Sequence, residues 1–261
     1  MAAQVRVVRL LIVALAGLLL GLAIYTIGRE ILAPHRATPV YDPPVLAGQW
    51  IPGYCSAGVY ARLGDTIVLT TSPHCGGEGT LATSPDGTVQ GVLGPTAVIS
   101  DCPHPDHTCK ASDMNYLVVE PDLVPWGHLN EIDLGVGGYR ILAPDTKPLS
   151  CGDIAVGDPI EMDGRGDYRT GTVAEKGEYL QPADADGDFF PCLIASRLQV
   201  GGGDSGSVVL VRGIPAGITT RSLAGNLGFT PLAEGLETLG LQMCTTPDCG
   251  LAAPRASPRS R

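Results

Sequence analysis

From about Gly48 onward, short apolar runs alternate with clusters of Gly, Pro and Asp. The runs are TIVLTT at 66–71, TVQGVLG at 88–94, YLVVE at 116–120, GTVAE at 171–175, SVVLV at 207–211 and AGITT at 216–220. Each has the length and β-branched content of a strand, and turn-forming residues separate them, so the pattern predicts an all-β barrel or sandwich. One late stretch changes period. In PLAEGLETLGLQM, 231–243, Leu232, Leu236, Leu239 and Met243 recur at helical spacing, which predicts a short C-terminal helix. The chain shows no internal repeat.

The front of the chain follows a different rule. VRVVRLLIVALAGLLLGLAIYTIGRE carries no charge between Arg9 and Arg29. That span is long enough to cross a hydrocarbon core of ~30 Å as a helix, and no small-residue cleavage site follows it. Residues 1–28 therefore read as an N-terminal transmembrane signal anchor, with a secreted product as the outcome if they are cleaved. Arg6, Arg9 and the amino terminus keep the N-terminus cytoplasmic and place the bulk outside. Residues 29–47 are Pro-rich and aperiodic, as in a stalk. Residues 48–243 hold the folded domain, and 244–261 a disulfide-containing end and a disordered basic tail.

Composition narrows the class. Among 261 residues, Gly (35) and Pro (22) are abundant and aromatics are only 5%, which suits many turns and few helices. A net charge of -10 and the lack of a basic stripe exclude a nucleic-acid partner. The eight cysteines are even in number and fit a disulfide framework in an oxidising compartment. CPHPDHTC, 102–109, packs its Cys and His residues too closely for a zinc knuckle and predicts a Cys102–Cys109 loop instead. DADGD, 184–188, alternates acids as a calcium loop does, but Ala195 stands where the closing Glu would be, so it reads as a solvated turn. Neither a metal nor a cofactor is expected.

The candidate chemistry lies in GGGDSGSVV, 201–209. A serine hydroxyl needs a base, a group that orients the base, and donors for an oxyanion before it acts as a nucleophile. Of the five histidines, His35 lies in the stalk, His104 and His107 in the small Cys-bounded loop, and His128 in a turn-like WGH. His74 is the one that ends a predicted strand, in VLTTSPHCGG.

These segments resemble the chymotrypsin-like serine proteases, and their bacterial streptogrisin and alpha-lytic branch most of all. CSAGVYARLGDTIVLTTSPHC, 55–75, is similar to that family's N-terminal barrel, where a CSxG strand precedes a strand ending in His-Cys. GGGDSGS resembles its nucleophile loop, and AGITT with GFTPLAEGL its last strands and C-terminal helix. The likeness covers roughly residues 48–243, strong at both ends and weak between. It implies two six-stranded antiparallel β-barrels with the active site between them, and a serine endopeptidase acting on peptide or protein substrates. The implied triad runs His, Asp, Ser along the chain. Ser205 would be the nucleophile and His74 the base. Asp113 would be the acid that leads into Met114-Asn115-Tyr116-Leu117, with Asn115 at the acid's place in a competing register. Asp101, Asp106 and Asp122 have no strand start behind them. The N–H groups of Gly203 and Ser205 would form the oxyanion hole. Asp204 would pair with an internal cation, Arg140 or Arg169. Gln199 would floor the specificity pocket, with Thr220, Arg221 and Ser222 forming one wall. Ser207 departs from the second Gly of the family loop. The resemblance also implies a Cys55–Cys75 bridge; Cys244–Cys249 is local, and Cys151–Cys192 remains. Two other readings use the same residues: a catalytically inactive binding or scaffold domain on this fold, and an acyl hydrolase other than a peptidase.

Overall fold

A computed structural model of the chain describes residues 45–51, 55–83, 87–165, 167–181, 187–223 and 225–252. All of them belong to one compact unit, Tyr41–Arg261. The expected membrane helix, almost all of the stalk, the acidic turn and the basic tail lie outside the described residues, apart from Gly187 and Asp188 of that turn. Among the described residues no helix is long and apolar enough to cross a membrane.

The larger strands, in chain order, are β1 (Tyr60–Leu63), β2 (Thr66–Thr71), β3 (Leu81–Thr83), β4 (Val89–Leu93), β5 (Asn115–Val119), β6 (Pro159–Gly164), β7 (Asp167–Leu180), β8 (Asp188–Gln199), β9 (Val208–Val211), β10 (Ile214–Leu223) and β11 (Asn226–Pro231). Helix α1 (Leu232–Thr238) and strand β12 (Gln242–Met243) follow. The C-terminal lobe is a closed six-stranded antiparallel barrel in the order β7-β6-β9-β10-β11-β8, with β8 pairing back onto β7. The two-residue strand Thr108–Cys109 adds to it in parallel, against Asp188–Phe189. The N-terminal lobe is a six-stranded sheet in the order β12-β1-β2-β5-β4-β3. Among the described residues no ladder joins its outer strands β12 and β3, so closure of the expected second barrel is not seen there.

The predicted runs at 66–71, 88–94, 116–120 and 207–211 fall on strands to within a residue at the ends, and 216–220 lies inside the longer β10. The run at 171–175 is only the middle of β7, whose outer part is polar because that face meets solvent. SVVLV lacks alternation because β9 is buried on both faces: Val208 and Leu210 enter the core shared with the N-terminal sheet, while Val209 and Val211 enter the core of the closed barrel. The helical spacing overestimated α1. The helix buries Leu232 and Leu236 and stops at Thr238; Gly240 then turns the chain at φ +64° and Met243 pairs with Ala61 as a strand. All eight cysteines are bridged as Cys55–Cys75, Cys102–Cys109, Cys151–Cys192 and Cys244–Cys249.

Candidate active site

His74 sits in a single 3-10 turn, Pro73–Cys75, where β2 leaves its sheet. Asp113 lies two residues before β5, whose first residue Asn115 pairs with Thr71 at the end of β2. This pairing brings the imidazole to the carboxylate: His74 Nδ1 is 3.3 Å from Asp113 Oδ2. Asn115, the competing acid position, turns away and donates its amide to the Gly76 carbonyl at 3.3 Å.

Ser72 completes this contact. Its hydroxyl lies 2.8 Å from His74 Nδ1 and donates to Asp113 Oδ2 at 3.3 Å. The arrangement suits the tautomer with the proton on Nδ1, which satisfies the carboxylate and the hydroxyl together and leaves Nε2 facing away from Asp113. Asp113 also accepts from the Thr220 hydroxyl and from Lys110 Nζ, the latter at 3.4 Å, and its own N–H donates to Thr230 Oγ1 at 2.9 Å. Burial opposes its ionisation, but His74, Lys110 and Thr220 together outweigh that and hold the Asp113 carboxyl below the usual carboxylate range. Lys110 also pairs with Asp188 of β8 at 2.7 Å, so one cation ties the two lobes beside the carboxylate.

Thr220 was expected in a pocket wall. It reaches Asp113 because the β10–β11 ladder slips there. Thr219 faces Phe229 and Arg221 faces Gly228, so Thr220 is the extra residue of a bulge. A bulge re-aims a side chain that regular pleating would send elsewhere. The side chains of Arg221 and Ser222 lie outside the described residues. Gln199 is exposed at the end of β8, paired with Asn226, and does not line the cleft; the neighbouring Val200 does.

Ser205, half-buried, lines one cleft with His74, Asp113, Lys110, Gly202 and Thr220. No hydrogen bond joins Ser205 to His74; in unliganded sites such contacts are often long and tighten around substrate. Gly203 has φ +96°, a conformation costly for any other residue, and neither its N–H nor that of Ser205 donates to a described protein group. Gly206 has no room for a side chain: a Cβ there would meet Ser56 O at 2.3 Å. Asp204 is buried, accepts from the Gly201 N–H at 2.7 Å, and pairs with Arg169 Nη1 at 2.6 Å. Arg169 is therefore the internal cation; Arg140 pairs with Glu161 instead. Ser207 is fully buried beside this loop.

Sequence reasoning missed Ser72, Lys110, Thr230 and the hydroxyl of Ser56, which donates to the Gly203 carbonyl at 2.8 Å. Ser72 stands two residues before His74 and Lys110 three before Asp113, but only the tertiary pairing gives those spacings meaning.

No family model matches the chain, and no curated protein matches it in sequence. Solved structures do match. Protease A of Thermobifida fusca superposes with a TM-score of 0.55 at 22% identity, over 76% of this chain and 97% of that one. The chymotrypsin of Cellulomonas bogoriensis gives 0.53 at 19%, over 77% and 99%. An alpha-lytic protease homologue gives 0.51 at 19%, over 76% and 98%. The fold is therefore that of the bacterial chymotrypsin-like serine proteases.

Proposed function

We propose that the chain is a serine endopeptidase, exported and held at the membrane by its N-terminal segment, that cleaves peptide or protein substrates. The observation that carries this reading is the gathering of Asp113, His74 and Ser205 in one cleft, with the imidazole held by the carboxylate. In this reading Ser205 Oγ attacks the scissile carbonyl carbon while His74 Nε2 takes the hydroxyl proton. The carbonyl oxygen becomes an oxyanion that accepts from the N–H groups of Gly203 and Ser205. Collapse expels the amine, which leaves with the proton from His74, and Ser205 remains acylated. Water, deprotonated by His74, then hydrolyses that ester and restores the serine. Asp113 holds the ring in the productive tautomer and stabilises the imidazolium.

A fluorophosphonate probe tests this on the full chain. Labelling of the wild type that is lost in Ser205→Ala and His74→Ala is the expected result. A folded, disulfide-bonded protein that stays unlabelled would overturn it in favour of an inactive binding domain. Cleavage of ester but no peptide substrates would instead support the wider acyl-hydrolase reading.

A further inference from the structure

The peptide between Gly202 and Gly203 supplies one of the two proposed oxyanion donors, and the turn between β6 and β7 grips it. Arg165 Nη1 donates to the Gly202 carbonyl at 3.1 Å. The Arg165 backbone N–H donates to Ser56 Oγ at 3.3 Å, and that hydroxyl donates to the Gly203 carbonyl at 2.8 Å. Both carbonyls flanking Gly203 are thus tied to one turn.

A peptide unit is planar and trans, so the Gly202 C=O and the Gly203 N–H point in opposite directions. Whatever holds the carbonyl also aims the N–H. Asp204 holds the start of the loop through the Gly201 N–H, but at Gly202 an added Cβ would meet nothing within 4 Å, so hydrogen bonds and not side-chain packing fix the next peptide. Arg165 carries a cost of its own. At φ +47° it is one of three non-glycine residues with positive φ among the described residues, in a region usually left to Gly, Asn or Asp. A strained backbone that delivers a cation to a carbonyl beside the cleft points to a role for that cation.

We infer that Arg165 is the positioning residue of the oxyanion hole: by holding the Gly202 carbonyl it keeps the Gly203 N–H aimed at the substrate oxygen. The inference rests on the endopeptidase reading above and adds a residue to it.

Arg165→Gly and Arg165→Lys in the full chain test it. Glycine keeps the turn and relieves its strain while removing the guanidinium. The expected result is a kcat lower by about tenfold or more with KM nearly unchanged, because the donor acts on the transition state. The affinity of a peptide boronate should fall by the same factor, lysine should restore part of it, and the melting temperature of Arg165→Gly should not drop. An unchanged kcat, or an effect on KM alone, overturns the inference. Crystal structures of wild type and Arg165→Gly give a readout that needs no turnover. A Gly202–Gly203 peptide rotated or disordered in the variant supports the inference, and the same peptide unmoved overturns it. An inactive wild type whose variant still shows the rotated peptide would sink the endopeptidase reading alone.

Discussion

Asp113 gathers an unusual number of donors for one carboxylate that is only 2% exposed: His74, Ser72, Thr220 and Lys110. Removing its charge should therefore act twice. Asp113→Asn is expected to lower turnover by about 10⁴-fold, because an amide favours the wrong imidazole tautomer; steady-state kinetics on a peptide substrate measures this. The same variant should flatten acid unfolding. A carboxyl held below its unfolded value of about 3.9 contributes stability above that pH and loses it as pH falls through the lower folded value. Below about pH 4 the wild type should thus lose stability more steeply than Asp113→Asn, as read by denaturant titration across pH.

At the scale of elements, the strands and the two ends of the site were legible because β-branched runs and a Gly-rich serine loop are local signals. What connects them was not. Thr220 lies in a run that reads as an ordinary strand, and only its pairing with β11 shows the bulge that sends its hydroxyl to Asp113. Likewise CPHPDHTC was readable as a disulfide loop, but not as a strap. Its last two residues pair with Asp188–Phe189 of the other lobe, and Lys110 follows directly to join Asp113 and Asp188. The double variant Cys102→Ala/Cys109→Ala should loosen this strap first. Hydrogen exchange at the Thr108 and Lys110 amides, which donate to Gly187 and Phe189, is expected to quicken while exchange in β9 stays slow. Uniform exchange in both places would refute the strap.

Taken whole, the molecule combines modest lobes with covalent ties. Cys151–Cys192 anchors the segment before β6 to the buried face of β8, across a separation of 41 residues. In the chain-entropy account such a loop contributes about 4 kcal/mol, so Cys151→Ala/Cys192→Ala should lower the unfolding free energy in urea by roughly that amount. The nucleophile loop is set in a similar internal way. Arg169, on β7 of the closed barrel, neutralises the buried Asp204 from inside the molecule.

Strand β12 has a consequence for timing. In the N-terminal sheet β1 pairs with an outer strand that follows every other described element in the chain, with Cys244 N–H donating to the Tyr60 carbonyl and Pro247 accepting from Gly127 and Leu129. A chain made from its N-terminus onward can assemble β1 to β5 early, yet that half waits for the last stretch before its edge is covered. Contacts of such long sequence separation form late and slowly. The histidine-bearing lobe thus gets its last strand only after residue 243 has been made, and a nascent chain cut short before that point stays without a completed histidine-bearing lobe.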